Sequence, residues 1–496
     1  MISPSVRLGA SALSRRPLRP MVSQSLWLAF AAFAGLVIAY LVANGLWYVA
    51  VGLLLAVPGF VVLHRYPLAT ISVWLLLTPL VVETSNETLR KVFWLVHRGL
   101  PLLTLLVLAV SAVAGLTAIR RPRLGWPELL MGGYLVATAV SIAYTSSTAI
   151  ANAILLYDRV AAPMCLYLIV RLLEPTERDL RWLVPAMIFV LISQSVIGLV
   201  SWTAPALLPA DWSSHVGERT TGSLRTPDLF GTTVLFCGAL LFHAALESRS
   251  RLARVCGALV LVLTMFMVFM TFSRANWLAG LLTIGGILYI HRRFAARFLI
   301  FLVPVLLIAL SSGMLAGQTQ FAQERFLSEQ SEESALSRLP VVVAAFRMFE
   351  ERPLVGWGYE NFDRFDRQFQ SQVGDLFSPV KDHASHNTYL TILAEQGIVG
   401  FLLFVGPIAY WLVRSMSRSL ILPMSGFLDR RLLATLWFVL LAYVVVNNFS
   451  RMLVPFGLGM WWMTLGLIAS IVHRYSTKRR PSPGQNVGDL VGSTVS

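Results

Sequence analysis

The sequence predicts an all-α fold, a polytopic transmembrane helical bundle of 12–14 spans with a large helical extracytoplasmic loop. Three observations predict it. Of 496 residues, 56% are hydrophobic and only 13% charged, where soluble domains carry roughly 45–50% apolar and about 25% charged residues. Uncharged apolar runs of bilayer-spanning length recur along the whole chain. Lys and Arg are shared unevenly between the connections, as the positive-inside rule requires of a membrane protein.

The first twenty residues hold Arg7, Arg15, Arg16 and Arg19, ahead of an apolar run at 25–43. A cleavable signal peptide would begin this way. This run is long, lacks a small-x-small cleavage site and precedes many more spans, so it reads as the first span. Further runs fall at 46–63, 67–82, 99–119, 128–144, 152–172, 182–203, 229–246, 255–272, 275–290, 298–316, 397–415, 431–449 and 454–472. The turns at 43–46 and 273–274 are short enough to merge neighbours, which sets the range of 12–14. Residues 1–24 form a basic cytoplasmic N-terminus, 25–203 an N-terminal transmembrane scaffold, and 204–472 a second transmembrane region. The tail at 473–496 lacks apolar periodicity and reads as disordered and cytoplasmic.

Threading the chain through fourteen spans gives one side 25 Lys and Arg against 7 acids, and the other 15 against 18. The whole formal charge of +15 is therefore cytoplasmic excess, and no nucleic-acid partner is needed to explain it. Both termini then face the cytoplasm. Cys165, Cys237 and Cys256 lie in or beside apolar runs, with no metal or redox spacing. No internal repeat supports an inverted-repeat transporter.

The outward face is uneven. Its long connections are 83–98, 204–228 and 317–396, and connections of such length usually carry function. Within the last, "LSRLPVVVAAFRMFEER" at 336–352 has a helical apolar period, and "RPLVGWGYENF" follows as a turn rich in Gly and Pro. Outside this loop the face has only eight basic residues. Arg90, Lys91 and Arg98 belong to an amphipathic segment expected at the interface, and Arg159 follows its compensating Asp158. Arg219, Arg225, Arg274 and Arg451 remain. Arg274 sits between two apolar runs with almost no loop to hold it, which is costly unless it faces a partner or a wet cavity, or snorkels to headgroups. Guanidinium groups at that depth suit the phosphates of a lipid-linked ligand.

"DHASHN" places His383 and His386 three apart beside Asp382. A metal pair, a helix cap and a proton acceptor are all compatible with that spacing, although no second ligand pair with recognisable spacing exists. Beside a pyrophosphate leaving group, a neutral imidazole that takes a hydroxyl proton is the chemistry of glycosyl transfer, and arginines would stabilise the leaving charge.

His386-Asn387, nine residues, Gly397, two residues and Gly400 resemble the H-[NSQ]-x9-G-x-x-G signature of the bacterial O-antigen ligase family. "RTTGSLRTPDLFG" at 219–231, "FSRANWLAG" at 272–280 and "SRLPVVVAAFRMFEERPLVGWGYENF" at 337–362 are similar to pieces of the same family in the same order. The resemblance spans about residues 200–415. It implies a metal-independent, cofactor-free glycosyltransferase of the membrane-embedded C type, acting at the periplasmic face of the inner membrane. The donor would be an undecaprenyl-pyrophosphate-linked glycan. The acceptor would be lipid A-core for a ligase, or a growing polysaccharide for a polymerase. By motif position, His386 resembles the family's essential loop histidine, a base or acceptor-site residue. Arg219 and Arg274 fall where the family holds pyrophosphate-binding arginines, with Arg225 the alternative to Arg219. Arg338 opens the loop helix, and Asn387 supports His386 or caps the helix that follows. The spacing favours a ligase, whereas fourteen spans favour a polymerase. A lipid-linked saccharide transporter, the rival of another class, would need charges at mid-span, which this chain nearly lacks.

Overall fold

The computed structural model describes residues 58–82, 84–116, 124–213, 219–292, 294–296, 338–370, 386–424, 426–450 and 453–477, with isolated positions elsewhere. The chain divides into two units, Met1–Arg65 and Tyr66–Ser496. The first contributes the helix Pro58–Arg65. Most of the expected runs at 25–43, 46–63 and 298–316 lies outside the described residues.

Among the described residues the second unit is built of helices and the turns between them. Its elements are α1 (Ala69–Val81), α2 (Glu87–Val113), α3 (Trp126–Thr145), α4 (Ala149–Leu173), α5 (Glu177–Thr203), α6 (Pro227–Leu246), α7 (Arg251–Phe269), α8 (Arg274–Ile290), α9 (Leu339–Glu351), α10 (Phe362–Gln370), α11 (Thr388–Arg418), α12 (Arg430–Asn447) and α13 (Pro455–Thr477). Nine of these, all but α1 and α8 to α10, are long and apolar enough to cross a membrane. At 17 residues, α8 spans about 25 Å, nearly the hydrocarbon thickness.

In a bilayer, exposed apolar surface gains nothing by packing, so helices associate where small residues let backbones approach. The centre of the unit follows that rule. α13 and α6 are the most enclosed spans, 94% and 83% buried over their apolar windows. On α13, a methyl group at Gly466 would lie 2.9 Å from the Tyr167 carbonyl oxygen of α4, and one at Gly459 would meet the Trp74 ring of α1. On α6, a methyl group at Gly238 would collide with Thr264 of α7.

Polar ties fix the direction of each helix. His243 near the end of α6 bonds the Phe427 carbonyl just before α12, and its ring lies 6.1 Å from that of His291, the residue that ends α8. Asn276 Nδ2 in the first turn of α8 donates to the Pro227 carbonyl at the first turn of α6. Thus α6 and α8 run parallel, and α12, which meets α8 where Thr283 Oγ1 donates to the Phe438 carbonyl, runs against them. The described residues of segments 84–86, 204–213, 219–226, 270–273, 338–370, 386–387, 448–450 and 453–454 therefore gather at one end of the unit, called here the loop end. The opposite end carries Arg171, Arg178, Arg181, Arg249, Arg251, Arg254, Arg414, Arg430 and Arg431, and is called the basic end.

Two differences from expectation stand out at the loop end. Residues 90–98, expected to lie along the interface, are the opening turns of α2, which passes through a π-helical turn at Trp94–Gly99. A second π turn, Tyr157–Ala161, interrupts α4. The two wide turns face each other: Trp74 Nε1 donates to His97 Nδ1, so His97 Nε2 carries the proton and donates to the Asp158 carbonyl. The Asp158 carboxylate receives both Nε and Nη2 of Arg98. Arg159 is consequently not compensated by its neighbour; its guanidinium pairs with Glu360 of the large loop.

Candidate active site

The helix expected at 336–352 forms as α9, and its period buries Val341, Ala344, Ala345 and Met348 against Trp357, Phe362, Phe369 and Ala394. This small core holds the described part of the large loop onto α11. α11 is broken: Gly397 has φ 63° and ψ −166°, a conformation open only to glycine. A break inside a span exposes backbone groups that lipid cannot satisfy. The turn after α9 satisfies them. Trp357 N and Gly358 N donate to the carbonyls of Ala394 and Glu395, while Ile398 N and Val399 N donate to those of Pro353 and Leu354. Gly356 lies so close that a methyl group there would sit 2.4 Å from the Glu395 carbonyl carbon. The buried Glu395 carboxylate caps Phe362 N, and Gln396 bonds Thr138 and Tyr134 of α3.

His386 stands immediately before α11 with a left-handed φ of 49°. Asn387 is the helix cap, its Oδ1 accepting from Tyr389 N and Leu390 N at 3.0 Å each. Its Nδ2 also reaches the Asn448 carbonyl, and Thr388 Oγ1 bonds Asn447 Oδ1 and the Ser450 carbonyl. His386 is thereby tied to the end of α12, the helix that runs antiparallel to α8. Arg274, first residue of α8, is thus at the same end of the bundle as His386.

Arg219 joins them through backbone pairing. Thr220 N donates to the Met270 carbonyl, and Arg219 Nε donates to the Thr271 carbonyl at 3.3 Å, three residues ahead of Arg274. Buried Gln194 and Ser223 hold this segment in place: Gln194 bonds Ser223 N and Oγ, and Ser223 Oγ donates to the carbonyl of Pro79 in α1. Arg225 takes another direction. Its guanidinium pairs with Asp211, which also accepts from Ser85 N and Oγ and from Thr84 Oγ1. Those Ser85 bonds, followed by the Arg225 charge, hold the Asp211 carboxyl below its ordinary value of 3.8. Arg338 is exposed at the start of α9 without capping it. His383, Asp382 and Arg451 lie outside the described residues. Among the described residues no three His, Cys, Asp or Glu side chains converge as a metal site.

Sequence reasoning missed two residues. Asp228, in the first turn of α6, accepts from Ser273 Oγ at 2.6 Å, which fixes the residue immediately before Arg274. Asn276, buried completely, ties α8 to α6. Both lie inside the quoted motifs, where "PDLFG" and "SRANW" carried the signal. Backbone strain marks the same places: Arg225, Phe272, Glu360 and His386 are four of the five non-glycine residues with positive φ among the described residues. Such conformations cost about 1 kcal/mol or more each and cluster at functional sites. Two helix N-termini, of α6 and α8, adjoin the Arg219–Arg274 region, so peptide dipoles add to the positive potential offered by the guanidinium groups.

Residues 257–405 match the family model described as O-antigen ligase. The match runs from within α7 through α8 and α9 to the middle of α11, taking in Arg274, Arg338, His386, Asn387, Gly397 and Gly400; Arg219 and Arg225 precede it. No curated protein matches the chain.

Proposed function

From the O-antigen ligase domain that residues 257–405 carry, we propose that the protein transfers a glycan from undecaprenyl pyrophosphate to an acceptor at the extracytoplasmic face of the bacterial inner membrane. Surface-polysaccharide glycan transfer is the general activity that the family match supports. The finer reading is O-antigen ligation to lipid A-core. The observation that supports glycan transfer from a pyrophosphate donor, common to ligase and polymerase, is the bond from Arg219 to the Thr271 carbonyl, which brings Arg219 to the turn that leads into Arg274, at the end of the bundle where His386 also stands.

In this reading Arg219 and Arg274 hold the pyrophosphate of the donor and Arg225 serves the scaffold. The acceptor hydroxyl oxygen forms a bond to the anomeric carbon as the bond from that carbon to the pyrophosphate oxygen breaks. His386 takes the hydroxyl proton, undecaprenyl pyrophosphate leaves as the anion, and the guanidinium groups stabilise its growing charge. Asn387 fixes the start of α11 and hence the position of His386. Arg338 borders the acceptor side of the loop. No metal takes part, so chelators leave the rate unchanged.

The fourteen apolar runs favour a second reading, polymerisation of lipid-linked repeat units with the same donor chemistry and a growing polysaccharide as acceptor. The purified protein is supplied with undecaprenyl-pyrophosphate glycan and either lipid A-core or further donor. A glycan-capped lipid A-core supports ligation, and a lengthened lipid-linked chain supports polymerisation. Transfer at the wild-type rate by a folded His386→Ala protein would remove His386 from the mechanism.

A further inference from the structure

The basic end of the bundle contains a cavity that the proposed transfer chemistry does not use. It has a volume of about 190 Å³ and lies between the start of α3, the end of α4, the second half of α11 and the end of α13. Its polar lining is Glu128, Arg171, Arg414 and His473, with the rings of Tyr410 and Trp411 as walls.

The acids here are already engaged. Glu128 Oε2 accepts from Gly125 N at 2.8 Å and Oε1 from Tyr167 OH at 2.7 Å. Glu174, beside the cavity, accepts from Arg171 Nη1 at 3.1 Å and lies 3.4 Å from His473 Nε2. The Tyr167 hydroxyl in turn receives the Trp411 indole N–H. The donors are less fully engaged. The Arg171 side chain is only 7% exposed, and its Nε makes no hydrogen bond, lying 3.6 Å from Glu128. Arg414 is exposed, lines the same space, and has no ion-pair partner among the described residues. Arg474 lies next along α13, bonded to the Glu174 and Pro175 carbonyls. The ionised side chains that line the cavity itself are thus two arginines, Arg171 and Arg414, against one carboxylate, Glu128.

A buried guanidinium with an unused N–H offers a hydrogen-bond donor to whatever occupies the cavity. A volume of about 190 Å³ would hold several waters at about 30 Å³ each, or one tetrahedral oxyanion with part of an ester substituent. Arginine forks match phosphate oxygens in geometry and charge. We infer that this cavity binds a phosphate-bearing anion, held by Arg414 and Arg171. The site is remote from the transfer chemistry, because Arg414 lies roughly 40 Å along α11 from His386 at 1.5 Å per residue. A phospholipid headgroup and a free phosphate share this chemistry.

The test uses the full-length protein, purified and delipidated in detergent. Native mass spectrometry measures its affinity for dioleoyl phosphatidic acid, with dioleoylglycerol as the phosphate-free control. Thermal unfolding measures stabilisation by inorganic phosphate against chloride at equal ionic strength. Arg414→Glu is the main variant, since an exposed side chain can be reversed without disturbing packing, and Arg171→Lys keeps the charge while losing the fork. Phosphatidic acid should bind wild type roughly tenfold or more tighter than Arg414→Glu, with Arg171→Lys between. Selective binding of the phospholipid identifies a headgroup site. Stabilisation of wild type, but not of Arg414→Glu, by phosphate alone identifies a free-anion site. The inference is overturned if dioleoylglycerol binds as well as phosphatidic acid, or if Arg414→Glu matches wild type in both measurements. Glycan transfer is not the readout, so neither result bears on the proposed function.

Discussion

Arg219 and Arg225 are six residues apart in one segment, and the motif alone could not separate them. Their surroundings differ: Arg225, with a left-handed backbone, pairs with Asp211, while Arg219 lies against the turn that leads into Arg274. Their substitutions should therefore differ in kind. Arg219→Ala and Arg274→Ala should each lower glycan transfer by roughly 100-fold or more, the scale of losing one preorganised charge at a leaving group, with little change in thermal midpoint. Arg225→Ala should retain transfer within about tenfold and lower the midpoint instead, because it releases Asp211 and the 84–85 turn. Purified variants assayed for both properties check this, and a severe activity loss confined to Arg225→Ala would reverse the assignment. The pairing of Arg159 was likewise beyond the sequence. Adjacent residues of a helix point in different directions, so Asp158 turns to Arg98 while its neighbour reaches Glu360, some two hundred positions away in the chain.

At the scale of elements, most of the bundle was legible. Uncharged runs such as 229–246 and 454–472 became α6 and α13 because a bilayer leaves helix as the only way for a lone segment to satisfy its backbone. The break in α11 was not legible. Its "EQGIVG" reads as an ordinary start of a span, since the sequence shows a glycine but not the turn of another segment that occupies the gap. Gly397→Ala tests this account. The new methyl group would be forced into a glycine-only conformation, at roughly 1–3 kcal/mol, and would sit 2.3 Å from the Leu354 carbonyl oxygen. The expected outcome is a lower thermal midpoint together with loss of transfer. A variant as stable as wild type would mean that α11 can straighten without cost.

At the scale of the whole second unit, alternation of helix direction segregates charge: arginines stand at both ends, but among the described residues most acids lie with the candidate catalytic residues at the loop end, which leaves most of the net positive charge at the other. Cysteines introduced at exposed positions 352 and 364 should react with a membrane-impermeant maleimide from the periplasmic side of spheroplasts, and one at 418 only after lysis. Labelling in the opposite order would invert the proposed orientation. The interlock between the turn at 353–358 and the backbone of 394–399 has a separate consequence for how the chain can be divided. Four main-chain bonds and the small apolar core around Trp357 join two stretches that the covalent chain connects only through residues 371–385. Continuity through that connector should then be dispensable. Two polypeptides, one ending soon after Gln370 and the other beginning shortly before His386, should copurify from the same membrane when coexpressed, neither accumulating alone.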